Sequence, residues 1–473
     1  MPFKPCCGGQ VALIVSGSPF HYEVVAFFAY HLGKLGYTVN AWLHPSSRYR
    51  YTSVAYSLIY PFVHELQFVP TSKLHQAPLQ PPDILDVLVY VTMTWGEDMQ
   101  MLCNLGLHER LYKNAKKVIM VNHDASSVLH LHRYCLAPKC TLFHLAPHVK
   151  RTAELLLAQN NITNTSLAGS YAVVKAQVSR QLPEGLHRFV NTGNWTQHTH
   201  LVAIQGNMDI YRRRYDLLFS CLRELRNSSI DVRVVAMGAY QKGFSIPPDL
   251  LPYVLVLESL SFPEFHAVLQ KAHLAVMFAN EEAGYTQLKS SSTVPTAVMN
   301  HVPLVLPRRL LSLYPCLSNM SAYRPVAQDT DCDSWRRALL LDNQQAKEYR
   351  EQTQRCHASW LSEAQDTLRS LLVQVYADAS SSHKTASEYL PKCEKHMFIR
   401  TSTSSSNTSG TGSHTVSLGS ESPVGAVNKG SSKPRVYKRI DREHVASNGN
   451  EGMVMVGKSR KGGVKRLRKP DSK

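Results

Sequence analysis

The sequence predicts an α/β fold with two parallel-sheet domains in succession and a disordered C-terminal tail. Short apolar runs alternate with helical patterns from residue 11 onward, which is typical of parallel sheets covered by helices on both faces. The alternation lapses around residues 180–199 and starts again at residue 200, so a domain boundary is expected there. Beyond residue 377, Ser, Thr and Gly and then Lys and Arg dominate, and such a composition cannot bury a core.

The first domain is predicted over residues 1–190. Residues 11–17 form an apolar run typical of a buried parallel strand, and residues 23–36 have a helical periodicity that ends at a glycine. Further strands are predicted at residues 37–43, 87–92 and 118–122. This order of strands and helices predicts a Rossmann-like sheet.

The second domain is predicted over residues 191–333 and repeats the pattern. Its strands are expected at residues 200–206, 231–237, 254–257, 274–278 and 302–306, with helices at 211–226 and 262–271. A second Rossmann-like sheet follows from this order. One long charged helical pattern covers residues 334–375, so a helical segment is predicted over 334–376 and a disordered tail over 377–473.

Positive charge is concentrated in the tail. The chain has 52 Lys and Arg against 35 Asp and Glu, a net charge of +17, and residues 431–473 alone hold 13 basic and 4 acidic side chains. This segment would contact anionic lipid or nucleic acid weakly, or it would act only as a solubilising extension.

The ten cysteines are scattered without the spacing of a small disulfide scaffold. Free thiols and a cytoplasmic location, at most peripheral to a membrane, are therefore expected. No apolar run approaches the roughly 20 residues of a membrane span, so no transmembrane segment is predicted. His and Cys crowd residues 130–148, but their spacing fits no compact zinc site, and no metal site is predicted.

Residues suited to phosphate binding follow the strands of the second domain. Open parallel sheets bind ligands at the carboxyl ends of their strands, glycine lets the backbone approach a phosphate, and basic side chains neutralise it. These residues predict a diphosphate site: Gly206, Arg212, Arg213, Gly238, Glu281, Glu282, Lys289, Ser291 and Ser292. The alternative is a solvated face for the three successive arginines and a polar loop with a helix N-cap for residues 289–293.

Candidate catalytic residues follow two strands of the first domain. His21 comes after the first strand, and His123 and Asp124 come after residues 118–122. An imidazole or a carboxylate can take a proton from a hydroxyl, so these three residues are candidate catalytic bases. The alternative is that they are ordinary loop residues.

The order of segments in the second domain resembles the donor-binding domain of GT-B glycosyltransferases, in particular the group-1 (family 4-like) branch. The matching segments are residues 204–218, 232–238, 259–282 and 294–306, and residues 14–43 give a weaker match to the opening of the first domain. The resemblance implies two Rossmann-like domains facing a cleft. It also implies a sugar transferred from a nucleotide-diphosphate-sugar, which serves as co-substrate, to an acceptor hydroxyl without a cofactor or metal.

The resemblance also assigns roles to individual residues. Arg212 or Arg213 would bind the diphosphate, and Glu281 or Glu282 would match the first glutamate of a paired motif. His21, His123 and Asp124 would act on the acceptor hydroxyl in an inverting reaction, whereas a retaining reaction has no obvious need of such a base. The segment 334–376 would cross back to the first domain.

Two positions depart from the family pattern. Thr296 stands where the second glutamate of the pair is expected, and His301 stands where the family has glycine. Two alternatives therefore stay open. One is a non-catalytic GT-B-like binding protein that acts through its basic tail, and the other is a nucleotide-sugar epimerase of the same fold.

Overall fold

The structure is a computed structural model, and it describes only part of the chain. The described residues are 10–16, 22–43, 59–68, 85–91, 102–103, 106–174, 181–192, 199–241, 243–258, 260–280, 284–318 and 331–381. All of them fall within one unit, residues 1–398. His21, Glu281, Glu282 and almost all of the predicted tail lie outside the described residues.

The first half of the unit is a seven-stranded parallel sheet. Its strands are β1 (Val11–Ser16), β2 (Thr38–Leu43), β3 (Glu65–Phe68), β4 (Leu85–Val91), β5 (Ala115–Asn122), β6 (Cys140–His144) and β7 (Ser166–Gly169). They lie in the order β3-β2-β1-β4-β5-β6-β7. The accompanying helices are α1 (Tyr22–Lys34), α2 (Leu107–Asn114), α3 (Val128–Leu131) and α4 (Pro147–Gln159). Helix α5 (Glu184–Thr192) follows them in sequence and contacts the strand Val254–Leu257 of the second half.

The second half is a five-stranded parallel sheet with the same winding. Its strands are β8 (His200–Gln205), β9 (Val232–Met237), β10 (Val254–Leu257), β11 (Leu274–Val276) and β12 (Leu304–Val305), in the order β10-β9-β8-β11-β12. Its helices are α6 (Tyr215–Asn227), α7 (Phe262–Lys271), α8 (Thr293–Met299), α9 (Arg308–Leu311), α10 (Pro315–Ser318), α11 (Asp331–Leu339) and α12 (Asn343–Ser381). Short 3-10 helices lie at Tyr60–Phe62, Ala125–Ser127, His132–Tyr134 and Pro248–Tyr253.

In both sheets the strand order reverses beside the first strand. This switch point lies between β1 and β4 in the first sheet and between β8 and β11 in the second. Open parallel sheets bind ligands outside the carboxyl ends of the strands at such a point. The loops that follow β8 and β11 are therefore the first place to look for a site in the second half.

Helix α12 contacts both halves. The Tyr349 hydroxyl donates to the Leu304 carbonyl of β12 over 3.3 Å, and His31 of α1 lies 2.7 Å from the Gln365 side chain, Nδ1 to Oε1. The buried residues of α12 recur every three or four positions and so form one face: Tyr349, Thr353, Cys356, Trp360, Ala364 and Leu368. That spacing follows from the helical period of 3.6 residues.

The single helix predicted over 334–375 is instead two helices, α11 and α12. Asp342 starts the second one: its Oδ1 accepts a hydrogen bond from Gln345 N over 2.7 Å, and Gln345 Oε1 accepts one from Asp342 N over 3.2 Å. Such reciprocal capping satisfies backbone donors at a helix start. The helical pattern in the sequence is continuous because both helices have helix-favouring residues right up to the break.

The expectation of free thiols is wrong for all seven cysteines of the described residues, Cys103 included. Disulfides join Cys135 to Cys140, Cys221 to Cys332 and Cys316 to Cys356, with Cα–Cα separations of 4.9, 5.2 and 5.7 Å. Two of these pairs are 111 and 40 residues apart in sequence, so only the folded chain brings them together. No helix among the described residues is long and apolar enough to cross a membrane.

Candidate functional site

Two glycines bring the loops after β8 and β9 into backbone contact. Gly206 and Gly238 have φ values of +100° and +151°, which residues with a side chain rarely adopt. A Cβ on Gly238 would collide with the carbonyl group of Gly206. Beyond the glycines, Met208 N donates to Ala239 O over 2.9 Å, so the two loops continue side by side.

Arg213 is the central charge of this region. The loop after β8 folds back so that Arg213 pairs with Ala279, which follows β11, in an antiparallel bridge. The guanidinium lies against Gly206, with Cζ 3.3 Å from the position that a Cβ on Gly206 would take. The predicted residues Gly206, Arg213 and Gly238 therefore meet at the switch point between β8 and β11.

The Arg213 guanidinium is buried and has no counter-charge among the described residues. The residue is 9% exposed, and its Nε and Nη1 have no hydrogen-bond partner in the described part of the chain. No carboxylate of the described residues forms an ion pair with it. A buried cation without a partner is strongly unfavourable, so this arrangement is suited to binding an anion.

Arg212 and Arg214, on either side of Arg213, are exposed and have acidic partners. The Arg212 side chain is 62% exposed and lies 3.4 Å from Asp209, Nε to Oδ2. Arg214 donates to the Asp216 carboxylate through Nε and Nη2, over 3.0 and 2.9 Å. Both neighbours thus have acidic partners, and of the two candidates for the diphosphate role Arg213 is the buried one.

Tyr215 is a second polar side chain beside Arg213 that the sequence analysis did not select. Its hydroxyl is buried and has no hydrogen-bond partner among the described residues. Burial raises the pKa of Tyr215 to about 12, although the positive charge of Arg213 opposes that rise. The phenol is therefore neutral at physiological pH and can donate a hydrogen bond. An aromatic residue just after a basic loop was the only signal in the sequence.

Lys289 connects the second half to the first. Its Nζ lies 3.6 Å from Asp124 Oδ2, and the two residues pair in an antiparallel bridge. Backbone bonds flank them: Ala125 N donates to Leu288 O over 2.7 Å and Ser290 N donates to His123 O over 3.1 Å. The predicted acceptor residues His123 and Asp124 are thus beside the predicted donor residue Lys289.

The two serines after Lys289 have different surroundings. Ser291 is buried; its hydroxyl oxygen accepts a hydrogen bond from Thr293 N over 3.2 Å and lies 3.4 Å from Met277 Sδ. Ser292 is exposed, and its side chain does not cap helix α8. Of this pair, Ser292 is the one whose hydroxyl faces solvent.

The two departures from the family pattern have structural roles of their own. Thr296 is buried and its hydroxyl donates to Ser292 O over 2.7 Å within helix α8. His301 has a φ of +56°, the left-handed conformation that glycine adopts most easily, and its Nε2 lies 3.2 Å from His357 Nδ1.

Metal ligation has no support in the described part of the chain. No three His, Cys, Asp or Glu side chains of the described residues are grouped so as to hold a metal ion. Within the His- and Cys-rich stretch, Cys135 and Cys140 form a disulfide with each other.

No protein-family model and no curated protein matches the chain. Several solved structures do match the chain. An alpha-glucosyltransferase in complex with UDP-glucose and DNA containing an abasic site covers 78% of this chain and 99% of its own, at a TM-score of 0.52 and 11% identity. HepE of Anabaena in complex with UDP covers 79% of this chain and 100% of its own, at a TM-score of 0.50 and 9% identity.

A further structure of an alpha-glucosyltransferase, in complex with UDP, gives a TM-score of 0.52 at 11% identity and covers 78% of this chain and 100% of its own. These likenesses span both sheets, and identities this low bear on the fold alone. They confirm the prediction of an α/β protein with two Rossmann-like domains. The chain has the GT-B glycosyltransferase fold.

Proposed function

We propose that this protein is a glycosyltransferase that moves a sugar from a nucleotide-diphosphate-sugar to an acceptor hydroxyl. The observation that carries the proposal is Arg213, a buried cation without a partner among the described residues, which lies against Gly206 at the switch point of the second sheet. The GT-B fold supports it, because the solved structures of that fold include complexes with UDP-glucose and UDP.

Arg213 would act on the leaving group. When the bond between sugar and diphosphate breaks, negative charge develops on the terminal phosphate oxygens. A guanidinium already held in a buried position stabilises that charge more than one in water would, because the local dielectric constant is low and little reorganisation is needed. Gly206 and Gly238, which have no side chains, let the Arg213 guanidinium and the backbones of the two loops lie close together at this site.

His123 and Asp124 would act on the acceptor. Asp124 is held in place because its Oδ1 accepts from Ser126 N over 3.0 Å and from Ser126 Oγ over 2.6 Å. The neighbouring Lys289 links this loop to the donor half. We assign the role of general base to this pair, with Asp124 as the carboxylate and His123 as the imidazole.

A second candidate is a protein that binds the nucleotide sugar without transferring the sugar. The Thr296 hydroxyl, committed to helix α8 at a position where the family has a glutamate, favours it. Both candidates require the anion site, so binding tests the shared part and a transfer assay with a radiolabelled sugar separates them.

The first prediction concerns Arg213→Ala. We expect this variant to bind inorganic pyrophosphate and nucleoside diphosphates about 10- to 100-fold more weakly than the unchanged protein, because a charge-assisted hydrogen bond to a phosphate is worth roughly 1.5–3 kcal/mol. Titration calorimetry on the full chain measures this. Arg213→Lys, which keeps the charge but loses the planar fork, should be intermediate.

Arg212→Ala is the matched control, since it removes the adjacent exposed arginine, and its affinity should change by less than about twofold. Arg213→Ala should also melt at no lower temperature than the unchanged protein, because a buried unpaired charge is removed. Equal nucleotide affinity in Arg213→Ala and the unchanged protein would contradict the proposal.

A further inference from the structure

The loops that carry the two glycines continue together toward the β10 edge of the sheet. Tyr240 lies two residues beyond Gly238 and pairs with Met208 in a parallel bridge. Glu258 directly follows β10, and Gly238 N donates to Leu257 O over 3.1 Å. Tyr240 and Glu258 are therefore neighbours of the glycine pair on the side away from β11. Two strand spacings, about 10 Å, separate β8 from β10.

The ring of Tyr240 is both exposed and fixed. The residue is 50% exposed, yet its hydroxyl donates to Phe244 O and its ring packs edge-on against the Phe244 ring, with centroids 5.3 Å apart. An aromatic ring held in this way presents a flat apolar surface to solvent. Such surfaces stack planar groups such as nucleobases.

The carboxylate of Glu258 is oriented by the same residue. Its Oε1 accepts a hydrogen bond from Tyr240 N over 2.6 Å. The side chain is exposed, and no Lys or Arg of the described residues pairs with it. An ionised carboxylate only accepts hydrogen bonds, and it has about four lone-pair positions on two oxygens. Among the described residues, Tyr240 N is the one hydrogen-bond donor to this carboxylate.

The common nucleobases differ in what they offer to a carboxylate. Guanine presents two adjacent donors on one edge, N1–H and the N2 amino group, which match the two oxygens of a carboxylate. Uracil presents one N–H between two carbonyl oxygens, and those oxygens repel a negative charge. Adenine presents an amino group next to a ring nitrogen that only accepts. A carboxylate at a base site therefore favours guanine.

We infer that Tyr240 and Glu258 form the nucleobase subsite and that Glu258 selects guanine, so that the donor is a guanosine-diphosphate sugar. The inference rests on the proposed function, because it takes the Arg213 site as the place of the diphosphate. The base then stacks on Tyr240, about two strand spacings along the sheet edge, and its N1–H and N2 amino group donate to Glu258.

The test compares affinities of the full chain for GDP, UDP, ADP and inorganic pyrophosphate by titration calorimetry. The unchanged protein should bind GDP at least about tenfold more tightly than UDP or ADP. Glu258→Gln should weaken GDP binding about tenfold, because the amide turns a donor toward a donor, and should change UDP and pyrophosphate binding by less than about twofold. Tyr240→Ala should weaken GDP and UDP alike, since stacking accepts any base.

Glu351→Gln is the control for the change from carboxylate to amide. Glu351 is also an exposed carboxylate but lies on helix α12, so its replacement should leave every affinity unchanged. Arg213-dependent binding in which UDP or ADP equals or exceeds GDP would overturn the inference and leave the proposed function standing. A GDP preference that survives in Glu258→Gln would also overturn it. Absence of binding by every nucleotide and by pyrophosphate would instead overturn the proposed function.

Discussion

The contact between Gly206 and Gly238 decides whether the two loops can approach each other at all. Each loop needs a positive φ at its glycine, and the space for a side chain on Gly238 is filled by the backbone of Gly206. Backbone atoms cannot move aside as a flexible side chain does. The geometry around Arg213 therefore requires glycine at positions 206 and 238, because a Cβ atom at either position would collide with its neighbours.

The prediction at this position is that Gly238→Ala lowers the free energy of unfolding by about 2 kcal/mol or more, through the strained φ together with the collision. Urea titration followed by circular dichroism measures it. Gly36→Ala is a matched control, since Gly36 has a φ of +92° with nothing within 4 Å of its Cβ position. It should show the backbone strain alone, about 1–2 kcal/mol. Equal losses in both variants would rule out the collision.

The sequence located the arginine run but did not distinguish its three members. Asp209 lies three residues before Arg212 and Asp216 lies two residues after Arg214, and both acids pair with those arginines. Asp216 also lies three residues after Arg213, so the spacing of the acids does not set Arg213 apart. Its burial depends on how the loop folds back to Ala279, which is a tertiary contact that spacing alone does not reveal.

The break between α11 and α12 shows a local signal of a different kind. Asp342 and Gln345 have the spacing of a capping box, with an acid at the N-cap in place of the usual hydroxyl. The sequence analysis did not detect this break because the helical pattern continues on both sides of it.

We predict that Asp342→Ala lowers the free energy of unfolding by about 1 kcal/mol, because the first turn of α12 loses its cap. The midpoint of chemical unfolding is the measurement. Asp366→Ala removes an acid from the exposed middle of the same helix, where the carboxylate only pairs with Arg369 at the surface. That variant should stay within about 0.5 kcal/mol. A larger loss for Asp366→Ala than for Asp342→Ala would contradict the capping role.

The strands missed by the sequence analysis are β3, β6 and β7. β6 (Cys140–His144) is buried at every position, including His144, so it has no alternation of polar and apolar residues. Its cysteine and histidine belong to the stretch of residues 130–148 that the sequence analysis considered for zinc binding, without predicting a metal site. β7 (Ser166–Gly169) has only four residues, among them Ser and Gly, and it is a strand because it pairs with β6. Both depend on tertiary pairing more than on local propensity.

Over the whole molecule, buried histidines make stability depend on pH. Burial lowers the pKa of four of them from the ordinary 6.5 to values of about 3 to 4: His108, His144, His266 and His357. In the unfolded chain these groups bind protons near pH 6.5, whereas the folded chain keeps them neutral. The unfolded state therefore binds more protons between pH 6.5 and pH 4, and the free energy of unfolding falls as the pH falls through that window.

We expect a decrease of up to about 1.4 kcal/mol per pH unit for each histidine, so the melting temperature should drop steeply below pH 6. Calorimetric scans from pH 7.5 to pH 4 measure it. His108→Phe, which keeps a buried ring between Tyr90 and Tyr112, should make the melting temperature depend less steeply on pH. A melting temperature constant from pH 7 to pH 4.5 would show that these histidines do not control acid stability.

At this scale the sequence predicted the alternation of strands and helices and the restart at residue 200, because parallel strands buried on both faces leave strong apolar runs. It did not predict the contacts of residues 123–125 with residues 288–290. Residues 123–125 and 288–290 are far apart in sequence, and nothing in either segment marks the other as its partner. Their pairing appears only when the carboxyl ends of both sheets come together.

The pairing of residues 123–125 with residues 288–290 has a consequence for any attempt to separate or exchange the two halves. Ala125 N and Ser290 N each find their acceptor in the opposite half, and the Thr152 hydroxyl donates to Gln287 O in the same way. Separating the two halves between residues 180 and 199 would leave these groups without the partners that they have in the folded chain. The halves are therefore not interchangeable modules: grafting either onto a different counterpart would require a new match for backbone groups as well as for side chains.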